Sequence, residues 1–262
     1  MINTVVNKVL PPAIVGLLII ALWYFAIYFF DIPVFQLPAP HLIIDAASAE
    51  HEALISGALQ TTFACIVGFF SSLVGGVILS IILAFSSWAY KGIYPFVLLL
   101  KMMPVVVLAP IIILWFGQGL GSITVITFLI CFFPIVANTT MGLISTDPNL
   151  LSVFRAYNSS QLDEMVRLRI PYAMPFFLTG LKIAAALTPI GALYGDTVAG
   201  MGSGADAGLG FVVVVFSSQL KIPALYAAAF TACAIGFIFV GLVNLLHWYA
   251  LHKWHDSYAN EH

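Results

Sequence analysis

Polar positions along this chain fall in clusters, and the stretches between them are almost wholly apolar. Residues 9–30, 53–90 and 102–146 contain no Asp, Glu, Lys or Arg. About 20 apolar residues are needed to cross a hydrocarbon layer about 30 Å thick, because a helix rises about 1.5 Å per residue. Each interval therefore holds at least one membrane helix, and the interval 102–146 is long enough that it must turn. The segment Gly117-Gln118-Gly119-Leu120-Gly121-Ser122 supplies that reversal, since its glycines permit positive φ and close backbone approach. Further apolar runs cover about 172–194 and 225–250. The pattern predicts six transmembrane helices, at about 10–30, 58–86, 93–116, 122–143, 172–194 and 225–250, in an all-α membrane protein.

Composition agrees. Of 262 residues, 62% are hydrophobic and 8% charged, and the mean hydropathy is +1.07; soluble domains carry roughly a quarter charged residues. Nine Lys and Arg against 11 Asp and Glu give a formal charge of -2, so no basic face exists to track a phosphodiester backbone, and nucleic acid is excluded as a partner. Cys65, Cys131 and Cys233 lie far apart inside apolar runs and read as small hydrophobes, outside any disulfide or metal-ligand spacing. His247, His252 and His255 lack a carboxylate or thiol at ligand spacing, so no metal site is expected. No span carries a Ser–His pair, paired carboxylates or a His-rich set, so no catalytic residue is assigned. The phosphate-cradling pattern G-x-x-x-x-G-K-[ST] is absent, and energy from ATP would have to come from another polypeptide.

Orientation follows from the cations. With the N-terminus in the cytoplasm, Lys8, Lys91, Arg155, Arg167, Arg169 and Lys253 are inside, Lys221 is outside, and Lys101 and Lys182 lie within spans. The segment from Asp31 to Gly57 carries acids and no Lys or Arg, as an external loop should. Both termini are then cytoplasmic. The first span is expected to be retained: its apolar stretch is longer than a signal-peptide core and ends in Tyr28-Phe29-Phe30, without small residues for cleavage.

The cytoplasmic loop at about 144–171 is polar and basic, yet patterned as short helices. Asp147-Pro148 opens one helix over about 149–157, and Asn158-Ser159-Ser160 breaks it. Asn tolerates the left-handed conformation that ends a helix; Ser160 caps the next, with Asp163 three residues on. A second helix runs from Gln161 to about Arg169, and Pro171 marks the start of a span. Arg155, Arg167 and Arg169 are either partner contacts or simple topology signals.

Charges inside spans cost about 2.5–3.5 kcal/mol on insertion scales and so draw attention. Lys101 either snorkels to the cytoplasmic side or faces a solute path. Lys182, deeper in the fifth span, pairs with a polar group or lines the path. Asp196, at the end of that span, either orders an external gate through amides of the glycine-rich stretch 200–210 or is a solvated loop acid. Asn138, among polar residues between proline-bearing segments, is a further candidate lining residue. Prolines 104, 110, 134, 175 and 189 lie in or near spans, where each removes a backbone donor.

Several stretches together resemble the membrane subunits of ABC importers, in the nitrate, sulfonate, taurine and thiamine-precursor branch. They are Leu37-Pro38-Ala39-Pro40, the long run from Pro104 to Gly121, Phe132-Phe133-Pro134-Ile135-Val136-Ala137-Asn138-Thr139, Thr179-Gly180-Leu181-Lys182-Ile183-Ala184 and Gly208-Leu209-Gly210. The family's cytoplasmic loop carries Glu-Ala-Ala, three residues, Gly, then a stretch ending in Leu-Pro. Counting back from Pro171 puts Asn158 at that glycine and Ser152, Val153 and Phe154 at Glu-Ala-Ala.

The resemblance implies a type I ABC importer-like permease fold with first helix and external loop at 1–57, a permease core at 58–250 and a cytoplasmic tail at 251–262. It implies a second permease copy, two ATPase subunits and an external substrate-binding protein or lipoprotein, in the bacterial cytoplasmic (inner) membrane. No cofactor is expected on this chain; ATP and Mg would sit on the ATPase. Ser152, Val153, Phe154, Arg155, Ala156, Tyr157, Asn158, Ser159 and Ser160 would couple to that ATPase. The rival reading is a secondary carrier or channel, but coupled carriers usually bury acids within spans, and this chain has none deep inside.

Overall fold

The computed structural model describes residues 2–201 and 207–251. All regular structure among them is helical: α1 (Ile2–Phe29), α2 (Pro40–Ala49), α3 (His51–Phe85), α4 (Ser87–Met102), α5 (Val105–Phe116), α6 (Leu120–Ile144), α7 (Pro148–Ala156), α8 (Gln161–Asp163), a π-helical turn (Glu164–Arg169), α9 (Ile170–Ala199), α10 (Leu209–Ser218) and α11 (Ile222–Leu251).

Five helical segments are long and apolar enough to cross a membrane: Leu10–Phe29, His51–Phe85, Leu120–Ile144, Gln161–Ala199 and Ile222–Leu246. The third predicted span differs. It is broken between Met102 and Val105, and α4 and α5 meet at a bend of 102°. The cause is local. The residue before a proline avoids the helical region, and Met103 accordingly sits at φ -70°, ψ 125° ahead of Pro104, which lacks an N–H. Neither half alone spans about 30 Å, at about 24 Å and 18 Å of helix, so the pair is either one broken span or a re-entrant segment.

The reversal between α5 and α6 forms where three glycines permit it. Gly117 and Gly119 both take positive φ, 76° and 101°, the Ser122 hydroxyl donates to Gly117 O, and the Gly119 amide donates to Ala199 O at 2.6 Å.

α3, α6 and α9 form the centre. Lipid tails are as apolar as leucine, so helices in a membrane associate through close packing and interhelical hydrogen bonds, and small residues mark the crossings. Gly180 of α9 lies against α6 so closely that a Cβ there would be 2.8 Å from Pro134 O, and one at Gly68 of α3 would be 2.5 Å from Thr127 Cγ2. Of the buried hydroxyls, Thr188 donates to Ala184 O at 2.8 Å and lies 3.1 Å from Cys131 Sγ, whereas Thr139 and Thr140 of α6 have no hydrogen-bond partner among the described residues. α1 is peripheral. Its apolar stretch stays exposed to lipid, and it touches the bundle through Trp23, packed on Tyr226 and Phe230 of α11.

Two helices were not anticipated from the sequence. α2 lies between α1 and α3. α10 is about 15 Å long, too short to cross, yet buries Leu209, Gly210, Val212 and Phe216 against the bundle. It follows the glycine-rich stretch, of which residues 202–206, including Gly202 and Gly204, lie outside the described residues.

Candidate functional site

The loop between α6 and α9 folds from local signals. The Asp147 carboxylate accepts from the Asn149 amide at 2.8 Å and Pro148 occupies the first turn, starting α7. Asn158, at φ 52°, ends it. The Ser159 amide donates to Phe154 O at 3.2 Å and the Asn158 amide to Arg155 O at 3.0 Å, the double bond of a Schellman motif with Asn in the left-handed position. Asn at the family's glycine position is thereby explained, because Asn is the non-glycine residue best suited to that backbone. The Ser160 hydroxyl then accepts from the Asp163 amide at 3.1 Å and donates to the Asp163 carboxylate at 2.6 Å.

The predicted second helix and the fifth span turn out to be one unbroken helical rod from Gln161 to Ala199, with a π turn at Glu164–Arg169, and the expected break falls before it at Asn158–Ser160. α7 stands off this rod with no buried residue. Ser152, Val153, Arg155, Ala156, Tyr157, Asn158 and Ser160 are exposed, and Phe154 and Ser159 partly covered. Leu150, Val153 and Tyr157, spaced three and four apart, form an outward apolar stripe, with Tyr157 85% exposed.

Each of the three arginines has an acid beside it within this chain. Arg155 Nε lies 3.1 Å from Glu164 Oε1, Arg169 Nη2 lies 3.4 Å from Glu164 Oε2, and Arg167 Nε lies 3.4 Å from Asp163 Oδ1. The Arg167 pair is exposed and contributes little. Glu164 is different: it is buried, 5% exposed, beside a cavity of about 200 Å³ lined by Ala84, Phe85, Gln161, Met165 and the two arginines.

At the C-terminal end of α9, Asp196 is buried, at 1% exposure, and is no solvated loop acid. Its Oδ2 accepts from the Thr61 hydroxyl of α3 at 2.6 Å, and it also accepts from the Gly210 amide. Thr61 in turn accepts from the Leu209 amide at 2.8 Å. The first turn of α10 thus directs two otherwise orphaned amides at a threonine and a carboxylate, where the helix dipole favours negative charge. Gly208 must be glycine here, because a Cβ would collide with the Asp196 carboxylate.

The remaining candidates are not gathered into one cluster within the chain. Lys101 lies in the last turn of α4 at the bend, exposed, where a cation suits a helix C-terminus. Asn138 donates to Pro134 O at 2.8 Å and packs against Gly180. Lys182 is half-buried, on the flank of α9 that also carries Ala186, Pro189 and Leu193, which line a groove of about 590 Å³ against α10 and α11. Lys182 and Asp196 share α9, about 21 Å apart along its axis. The sequence reading missed Thr61 and Glu164. Thr61 stands in Gln60-Thr61-Thr62, a polar triplet in a charge-free stretch, and Glu164 is an acid inside a basic loop; either signal was visible, but neither named a partner.

A bent pair of apolar helices, a short packed helix, a central trio packed through glycines and an amphipathic helix projecting from one end make this a multi-pass membrane protein with the parts of a transport subunit. The chain belongs to the binding-protein-dependent transport system inner membrane component family, which matches residues 76–250. It is 33% identical over 202 residues to the formylaminopyrimidine transport permease protein ThiX of Halalkalibacterium halodurans, covering 77% of this chain and 79% of that one. A probable ABC transporter permease protein of Haemophilus influenzae is 28% identical over 238 residues, 90% of this chain and 95% of that one. The putative aliphatic sulfonates transport permease protein SsuC of Bacillus subtilis is 24% identical over 245 residues, 92% and 86% respectively. The chain is a permease subunit of an ABC importer, a transport component of the nitrate, sulfonate and thiamine-precursor branch.

Proposed function

We propose that this permease works as a homodimer in the bacterial cytoplasmic membrane, both termini inside, and moves a small polar solute by alternating access. Two separate ATPase subunits, carrying the ATP and Mg, dock from the cytoplasm on the segment Ser152 to Ser160; an external binding protein or lipoprotein delivers the solute. The observation that carries the docking reading is α7 itself. A helix with no buried residue that holds Leu150, Val153 and Tyr157 outward on the cytoplasmic side exposes apolar surface with no partner in this chain. A nine-residue helix is too short to persist on propensity alone, so its caps hold a surface in place for something else.

The solute is of the class that the relatives' names describe, a formylaminopyrimidine or a small anion such as a sulfonate or nitrate. Lys182, a half-buried cation with an apolar groove on its own flank, is the group proposed to meet it. Lys101, Asn138 and Asp196 take flanking roles: Lys101 at the bend of the third span, Asn138 at the α6–α9 crossing, and Asp196 holding the external end.

The test is co-purification with the ATPase subunit. Val153→Asp and Tyr157→Ala are the informative variants, since Arg155 is engaged with Glu164. Truncating an aromatic anchor at an interface costs about 2 kcal/mol or more, so retention of the ATPase falls by about tenfold or more. Retention equal to that of the unaltered permease rejects α7 as the docking element.

A further inference from the structure

Two connections between α7 and the long α9 rod stand out among the described residues. One is the chain link at Tyr157–Ser160, which pivots on the single left-handed residue Asn158. The other is a side-chain clamp. The buried Glu164 carboxylate gives one oxygen to Arg155 of α7, at 3.1 Å, and the other to Arg169 at the foot of α9, at 3.4 Å. A backbone link through a few residues has soft dihedrals and transmits rotation poorly. The carboxylate is held on both oxygens by two guanidinium groups and buried among Ala84, Phe85 and Met165, with Arg155 itself 65% exposed, and this pairing restrains the angle between the two helices.

The π turn makes the clamp possible. An α-helix stacks residues three and four apart, and Glu164 and Arg169 are five apart. The wider i→i+5 winding of Glu164–Arg169 brings them onto one face, which is why the acid finds a cation from its own rod as well as one from α7. The arrangement has a cost: one oxygen is left without its cation if either arginine is removed, and a buried carboxylate short of a partner is strongly unfavourable. That asymmetry favours the closed clamp over any geometry in which α7 swings free.

We propose that Glu164 is the positioning residue of energy coupling: it locks α7 to α9 so that the two move as one rigid body. A displacement of α7 by the ATPase is then delivered along α9 to Lys182 and, at the far end, to the Asp196 contact with α10. The proposal rests on the docking reading above for its functional half. Its mechanical half, rigidity between α7 and α9, belongs to the permease alone.

The experiment separates the two. Nitroxide labels are placed at Ser152→Cys and Thr179→Cys, both exposed, in a Cys233→Ala background, and labelled protein is diluted with unlabelled protein in lipid nanodiscs so that only intramolecular pairs report. With Glu164 in place the distance distribution is narrow. Glu164→Gln, which keeps shape and loses charge, broadens it severalfold. So does Arg155→Gln, which cuts the α7 arm while leaving Glu164 paired with Arg169, and so serves if Glu164→Gln fails to fold. In the assembled transporter, Glu164→Gln retains the ATPase subunit yet lowers solute uptake per ATP hydrolysed by about tenfold, a ratio that a loss of folded protein does not change. A distribution as narrow as that of the unaltered protein in Arg155→Gln, or an unchanged uptake-to-hydrolysis ratio in Glu164→Gln, overturns the proposal. Failure of Val153→Asp and Tyr157→Ala to release the ATPase overturns the docking reading instead, and leaves the label experiment intact.

Discussion

Thr61→Val tests the latch at the C-terminal end of α9, because it removes one hydroxyl and almost no volume. That hydroxyl donates to Asp196 at 2.6 Å and accepts from the Leu209 amide at 2.8 Å. Both partners are buried, Asp196 at 1% and Leu209 at 0% exposure, so water cannot readily replace the lost bonds. A hydrogen bond to a charged group is worth about 1.5–3 kcal/mol, and an orphaned buried amide costs about 1–3 kcal/mol. Partial relaxation reduces the sum, and about 3 kcal/mol remains for the attachment of α10 to α3 and α9. Amide exchange reads this directly, since α10 opens as a local unit and its amides, such as Val212 donating to Gly208 O, exchange on opening. The expected result is exchange through α10 accelerated by about a hundredfold, with the α6 core unchanged. Thr179→Val, at an exposed site where the hydroxyl bonds only Pro175 O within its own helix, is the control. Exchange in Thr61→Val within a few-fold of that control refutes the reasoning.

Asn158→Val places a β-branched residue at φ 52° and costs about 1–2 kcal/mol, seen as roughly tenfold faster amide exchange in α7, whereas Asn158→Gly is neutral or slightly protective. Lys182→Met removes the proposed solute contact, worth about 1.5–3 kcal/mol, so uptake falls about tenfold or more at unchanged expression and ATPase retention; undiminished uptake removes Lys182 from the path.

How much was legible depended on how far along the chain the cause of each feature lay. The turn at Gly117–Ser122, the left-handed stop at Asn158 and the Ser160 cap involve residues within a few positions of one another, and each was readable from residue type. Pro104 was recognised as a disruptor, but the size of the bend was not, because proline specifies that a helix is interrupted and packing sets the direction in which the chain resumes. The π turn had no sequence signal, because its i→i+5 winding follows no residue-type preference within the segment. α10 was overlooked because its short apolar run, next to a glycine-rich loop, falls well below the length of a span.

The sequence by itself determined that this is a helical membrane protein and roughly where most of its apolar helices run, since hydrocarbon thickness and the cost of charge act on each segment separately. Only the tertiary structure decided which side of each span is inside. In a lipid-embedded chain the apolar pattern looks alike toward lipid and toward protein, so burial is set by close fits such as Gly180 on Pro134 and by polar pairs such as Thr61 with Asp196, 135 residues apart. Glu164 shows the same limit at short range. Its two arginines were in plain view in the sequence, but that all three meet at one buried point, and so tie α7 to α9, depends on a helix winding that local propensity does not favour.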